Sequence, residues 1–333
     1  MMWYVYVFIA AAVMVVVTLA AGTKIFFSFS IKSDNYNKRV SRKSCWEENE
    51  DDPRDVELNP VCTPWADELL AARKRIKKCE LSDHSVTSYD GLRLAAKYLP
   101  PEGEARGIVL LMHGFRSSAL HDFSLAIEVY RGLGFGCFMP YHRAHGDSEG
   151  KYITYGVKER YDVVSWCRYI DEKFPGVPVI LDGISMGAAT VMMALGLELP
   201  ENVKGAVADC GFTTPIDEFK FVMKEKMHMK PFPFLYTSAL AARIFAGFSI
   251  KGASTVEALK KNRLPIFIAH GEADTLVPHS MSVVNYDAAK DSCDATFLSV
   301  PGAEHGLSFL TDRETYTNEV KKLIDKCIKP IGE

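Results

Sequence analysis

The stretch Gly183-Ile184-Ser185-Met186-Gly187 constrains this chain more than any other. The apolar run Val177-Pro178-Val179-Ile180-Leu181 leads into it, and Ala188-Ala189-Thr190-Val191-Met192-Met193-Ala194 leads out. A buried strand therefore runs into Ser185 and a helix runs out, the setting in which G-x-S-x-G forms a sharp elbow. A turn that tight leaves no room for bulky flanking side chains, which accounts for Gly183 and Gly187. It lifts the Ser185 hydroxyl off the sheet and aims the helix N-terminus at whatever group reacts there.

A strand–elbow–helix unit needs a sheet around it, and the remaining pattern supplies one. Ser85 to Ser88 and Leu92 to Tyr98 alternate about Asp90-Gly91, a hairpin signal. Apolar strands are expected at 108–112, 135–139, 203–208, 266–269 and 296–300, and helices near 123–132, 157–174 and 316–328. Short buried strands alternating with helices predict an α/β fold, a mostly parallel sheet with helices on both faces. Residues 213–263 break this rhythm with Lys230-Pro231-Phe232-Pro233-Phe234 and with Met223, Met227 and Met229. They read as a small helical cap inserted between strands.

Met1 to Gly22 carries no charged side chain. At ~1.5 Å per residue a helix of that length crosses a hydrocarbon core of about 30 Å. Trp3, Tyr4 and Tyr6 sit where an interfacial aromatic belt would lie. A signal peptide is the rival reading, but it wants positive charge ahead of the apolar run, and no Lys or Arg precedes Lys24. One N-terminal transmembrane helix is therefore expected over 1–23. Lys24, Lys32, Lys38, Arg39, Arg42 and Lys43 follow it, which by the positive-inside rule puts the folded domain on the cytoplasmic side of the cell membrane.

The eight cysteines fit that compartment, since none forms a C-x-x-C pair. No metal site is expected from them; Cys137, Cys167 and Cys210 fall in apolar stretches and read as core. Residues 24–80 read as a linker with an acidic patch at 47–53, ending in a short helix with Trp65, Leu69, Ala72 and Ile76 on one face. The α/β domain then occupies 81–333. A net charge of −3 without a basic stripe gives no nucleic-acid partner.

Serine is a poor nucleophile unless a base takes its proton and a third group orients that base. An elbow serine predicts the chain order Ser, acid, His. Ile266-Phe267-Ile268-Ala269 runs into His270-Gly271-Glu272-Ala273-Asp274, putting Asp274 past a strand end. Phe297-Leu298-Ser299-Val300 runs into Pro301-Gly302-Ala303-Glu304-His305, putting His305 the same way. Function in open α/β sheets gathers at that edge. Asp209 and Glu272 compete for the role of acid. His113, His270 and His279 compete for the base, but His113 precedes the serine and the others crowd the acid in sequence. For the oxyanion, the expected donors are the amides of Met186, after the nucleophile, and Phe115, in the loop after the first core strand.

These motifs resemble the α/β-hydrolase superfamily. His113-Gly114-Phe115, Gly183 to Gly187, Gly271 to Asp274 and Ala303 to Gly306 match its oxyanion, nucleophile, acid and histidine motifs in order. Ile184 to Ala189 and Ala208-Asp209-Cys210-Gly211-Phe212-Thr213 look like membrane-anchored Gram-positive hydrolases of the S33-like and monoglyceride-lipase branch. The likeness departs at Ile184, where many members carry His, and at Tyr141, which stands in the Asp position of Asp-x-Arg-x-His-Gly-x-Ser.

The resemblance implies an α/β-hydrolase fold without metal or organic cofactor. The expected activity is hydrolysis of carboxylic esters through an acyl-enzyme. The Met- and Phe-rich cap and the apolar N-terminus favour an ester or lipid-like substrate with an apolar acyl group. The same triad serves thioesterases and aminopeptidases. An aminopeptidase must bind an ammonium group, for which Asp217 and Glu218 are available among Lys220, Lys224, Lys226 and Lys230. A non-catalytic, membrane-bound interaction module is the reading from another class; such folds usually lose a triad residue, and none is lost here.

Overall fold

The computed structural model describes residues 2–32 and 60–328, with some side chains of the first helix also left out. The acidic patch at 47–53 and most of the expected linker lie outside the described residues.

β1 (Ser82–Thr87) and β2 (Arg93–Leu99) form an antiparallel hairpin about Asp90-Gly91. Six strands follow: β3 (Gly107–Met112), β4 (Phe135–Pro140), β5 (Val179–Ile184), β6 (Val203–Asp209), β7 (Ile266–Gly271) and β8 (Ala295–Val300). They join one sheet in the order β1-β2-β4-β3-β5-β6-β7-β8. From β4 to β8 every pairing is parallel.

A parallel sheet needs cover on both faces, and strand residues alternate between two cores. Ile108, Leu110 and Met112 of β3 face one side with Leu181, Ala206 and Ile268. That side is closed by α4 (Glu159–Lys173), α5 (Met186–Ala194) and, beyond them, α8 (Thr255–Leu259) and α9 (His279–Ala289). Val109 and Leu111 face the other side with Ile180, Val207 and Phe267. There α3 (Ala119–Gly132) and α11 (Arg313–Cys327) lie across the sheet, the latter preceded by the single turn α10 (Ser308–Thr311). α3 begins earlier than its apolar period predicts, because the Ser118 hydroxyl caps it by accepting the His121 amide. α2 (Ala66–Lys77) seats Leu69 and Ala72 against α3.

Between β6 and β7 the chain inserts α6 (Pro215–Phe221) and α7 (Phe234–Ala241), each continued by a π turn, before α8. Their apolar side chains form a third core with Phe27, Ile31, Tyr155 and Met186. Phe27 and Ile31 belong to the N-terminal helix, α1 (Met2–Ser30). The sequence reading ends that helix at residue 23; the structure carries it to Ser30, because Phe26 and Phe27 find apolar cover on the inserted helices. Among the described residues no helix is long and apolar enough to cross a membrane. α1's described side chains are interrupted, so the span expected over 1–23 stays an expectation.

Candidate active site

Adjacent strands build the site. β3 and β5 pair with Met112 opposite Gly183, so the loop after β3 and the elbow after β5 emerge side by side. Ser185 sits at φ +56°, a strained value for a non-glycine residue and typical of a functional turn. The glycines have a steric reason. A Cβ on Gly187 would lie 1.8 Å from the Met112 carbonyl oxygen, and one on Gly183 would lie 2.4 Å from the Gly187 carbonyl carbon.

The structure brings Ser185, His305 and Asp274 together. His305 Nε2 lies 2.8 Å from Ser185 Oγ, and His305 Nδ1 lies 2.7 Å from Asp274 Oδ2. With the Nδ1 hydrogen on the carboxylate side, the Nε2 lone pair faces the serine hydroxyl, as a general base requires. This tautomer is assigned from the partners. Asp274 Oδ1 accepts the amides of Leu276 at 2.8 Å and Val277 at 2.9 Å. Burial alone would raise the Asp274 pKa, but hydrogen bonds from His270 and His305 outweigh it and hold the carboxyl well below its usual range.

The competing residues occupy other roles. His270 Nε2 is 3.0 Å from both Asp274 Oδ2 and the Val277 carbonyl. Both neighbours accept, so that nitrogen carries hydrogen, and Nδ1 receives the Ser282 hydroxyl at 2.6 Å. His270 is thus a second donor to the acid. His113 is fully buried between the Gly114 carbonyl and the His142 amide, and desolvation holds it neutral. His279 bonds Ser299. Asp209 accepts the Ser308 hydroxyl at 2.7 Å, and burial pushes its pKa up to about 6. Its main-chain carbonyl receives the Ser185 amide at 2.8 Å. Glu272 bonds the Ser299 hydroxyl at the surface.

The expected oxyanion donors, Met186 and Phe115, sit at the start of α5 and in the loop after β3. Met186 opens α5, so it has no carbonyl one turn back to receive its N–H. A Cβ on Gly114 would stand 3.6 Å from Ser185 Cβ, so the β3 loop passes directly over the nucleophile. The Gly114 amide is taken by Asp122 Oδ2 at 2.7 Å, and Asp122 Oδ1 accepts the Ser117 hydroxyl at 2.5 Å. That leaves Phe115 to supply the loop's free amide. Its ring stacks on Tyr155 at 5.2 Å, and Tyr155 meets Phe219 of α6 edge-on at 4.7 Å. These rings pack in one core with Met186, the residue after the serine.

The sequence reading passed over Asp122 and set His270 aside; nothing local marks either. It offered Asp217 and Glu218 together, and the structure separates them. Asp217 pairs with Thr214 and Lys220. Glu218 is buried with Oε2 unpartnered, and desolvation raises its pKa to about 8. Tyr141 begins a buried loop whose Arg143 pairs with Asp90 and Asp162, a structural arrangement away from the triad.

Among the described residues one trio could hold a metal ion: the donor atoms of Cys210, Asp274 and His305 lie within 4.8 Å of one another. Burial keeps the Cys210 thiol protonated, and a cation there would compete for the Asp274–His305 hydrogen bond.

A parallel sheet of this strand order, with a serine on the elbow after β5 and Asp and His on later strand ends, defines the α/β-hydrolase fold. Residues 103–232 match the family described as serine aminopeptidase, S33. YqkD of Bacillus subtilis is 23% identical over 218 residues, covering 65% of this chain and 70% of its own. Monoglyceride lipase of Homo sapiens is 31% identical over 121 residues, 35% of this chain and 39% of the lipase. An esterase of Pyrococcus furiosus shares the fold with a TM-score of 0.62 at 22% identity, covering 77% of this chain and 94% of the esterase. Over residues 103–232 the chain is thus similar to the S33 serine aminopeptidase family, its fold is that of the α/β-hydrolases, and these likenesses mark it as a hydrolase.

Proposed function

We propose that the chain hydrolyses carboxylic esters with apolar acyl groups through an acyl-enzyme on Ser185. The observation that carries this reading is the unbroken hydrogen-bond relay from Ser185 Oγ through His305 to Asp274. Ser185 Oγ attacks the carbonyl carbon while its proton passes to His305 Nε2. The carbonyl π pair moves to oxygen, where the Phe115 and Met186 amides hold it. Collapse expels the alcohol, which takes the proton from Nε2, and leaves the acyl-serine. Water then repeats the sequence and restores the hydroxyl. Asp274 keeps its charge throughout and stabilises the imidazolium.

The wall of Phe115, Tyr155 and Phe219 supports an apolar acyl group. The peptidase reading draws on Glu218. Burial holds that carboxyl neutral near pH 7, so it offers an ammonium no ready anion, and we rank ester above peptide. We also read α1 as a single-pass anchor with the catalytic domain on the cytoplasmic side, from the uncharged run before Lys24 and the basic residues after it.

The test is kcat/KM for the full chain across p-nitrophenyl esters from acetate to palmitate, with Ser185→Ala alongside. A Ser185-dependent optimum at a medium or long acyl chain is expected. Full activity in Ser185→Ala would sink the mechanism, and faster turnover of aminoacyl naphthylamides than of esters would reverse the ranking.

A further inference from the structure

The end of α1 is built into the domain. Gly22 packs so closely on the Phe234 ring that a Cβ would lie 2.2 Å from it, and Thr23 and Thr237 share a hydrogen bond at 2.6 Å. Phe26 meets Phe219 at 5.9 Å, and Phe27 meets Phe245 at 6.3 Å. The Tyr155 hydroxyl donates to the Ser30 carbonyl at 2.6 Å. α7 therefore runs beside α1 at the level of Gly22 and Thr23.

Ahead of Gly22 the described apolar side chains of α1 point outward, Phe8 and Met14 at 76% and 70% exposure among them. Met2 to Ala21 is ~30 Å of helix at ~1.5 Å per residue, the thickness of a hydrocarbon core. With α1 read as the anchor, the bilayer surface falls near Gly22, and α7 has nowhere else to lie.

The side chains of α7 and its π turn fit that position. Leu235, Ser238 and Ala242 turn inward and are buried, while Tyr236, Leu240 and Ile244 form an i, i+4, i+8 stripe facing out. Phe232, 75% exposed, extends it. The inserted segment carries Lys220, Lys224, Lys226, Lys230 and Arg243 against the acids Asp217, Glu218 and Glu225, of which Glu218 is buried. An apolar stripe in a basic segment suits an interface of acyl chains and anionic headgroups.

We propose that the outer face of α7, with Phe232, Tyr236, Leu240 and Ile244, rests on the bilayer surface beside the anchor, so that substrate enters the site from the lipid. This rests on the anchor and esterase readings above. A run of rings links anchor and site: Phe26 of α1 packs against Phe219, Phe219 against Tyr155, and Tyr155 against Phe115 of the loop after β3, with centroids 4.7 to 5.9 Å apart.

The test uses the full chain in phosphatidylcholine–phosphatidylserine vesicles. Leu240→Asp/Ile244→Asp changes exposed side chains outside the catalytic machinery. It should keep hydrolysis of a soluble butyrate ester within about twofold and lose about tenfold or more on a long-chain ester embedded in the vesicles. Unchanged hydrolysis of the embedded ester would overturn the placement. Tyr236→Trp supplies a readout independent of catalysis. Its added fluorescence, taken as the difference from wild type, should be quenched by lipids brominated high on the acyl chain, and unquenched fluorescence in vesicle-bound protein would also overturn the placement. Release of wild type by an alkaline carbonate wash would instead refute the anchor, and the placement with it. Failure of Ser185→Ala to lower ester turnover would refute the esterase reading while leaving the quenching result to stand.

Discussion

His270 donates to the same Asp274 oxygen that receives His305, at 3.0 Å and 2.7 Å. The acid therefore meets four donors, two imidazoles and the amides of Leu276 and Val277. This fixes its charge and its direction together. His270→Leu removes a hydrogen bond to a buried carboxylate, which should cost about 1.5–3 kcal/mol of stability. Urea denaturation should show it, with kcat falling and KM little changed. An unaltered midpoint would mean that His270 only fills space.

The Asp122 carboxylate holds the loop that carries Phe115, through the Gly114 amide and the Ser117 hydroxyl. Asp122→Ala should lower kcat roughly 10- to 100-fold, short of or equal to the loss of a whole oxyanion donor. KM for short esters should stay within about twofold, because loop position matters most when the oxyanion forms. Steady-state kinetics on p-nitrophenyl butyrate separates the two constants. A rise in KM alone would show that Asp122 shapes binding instead.

Gly187→Ala places a methyl against the Met112 carbonyl, where no flexible side chain can yield. Either the elbow or β3 must shift, at a cost of several kcal/mol. Little soluble, folded protein is expected, and what folds should not react with a fluorophosphonate probe. Labelling at the wild-type rate would contradict the close approach.

Glu218 has a pKa raised by burial, to about 8 in the folded chain against about 4.3 unfolded. Between those values the unfolded chain has released a proton that the folded chain retains. Its contribution therefore falls as pH rises from about 4 to 8, by at most about 1.4 kcal/mol per pH unit. Glu218→Gln keeps the shape without the ionisation and should flatten that part of the stability profile, read as urea midpoints at pH 5 and 8. Asp274 runs the other way. Its depressed pKa lends stability at neutral pH that is lost below about 4.

What could be read from the sequence was local. Ser185, Asp274 and His305 each lie one to five residues past an apolar strand, and such strands show in a one-dimensional pattern. Asp122 and His270 gave no such sign, since their roles depend on partners brought up by the fold: the Gly114 amide from β3 and Ser282 from α9. The extent of α1 escaped for a related reason. Gly22 and Lys24 look like a helix end, yet Phe234 and Thr237, more than two hundred residues on, give the helix a surface to continue along. Glu218 and Asp217 are neighbours in sequence and differ only in the side of α6 each faces.

β8 is an edge strand paired with β7 alone, and all its residues but Val300 are only half covered. His305 hangs from its end, whereas Ser185 sits on a strand buried at the middle of the sheet. The two halves of the relay thus have different local lifetimes. On the mechanism proposed above, a brief fraying of the edge would remove the base while the nucleophile and its cradle stay formed. Catalytic competence then reports how long one margin of the sheet stays docked, and under warming it should fade before the central strands begin to exchange their amide hydrogens.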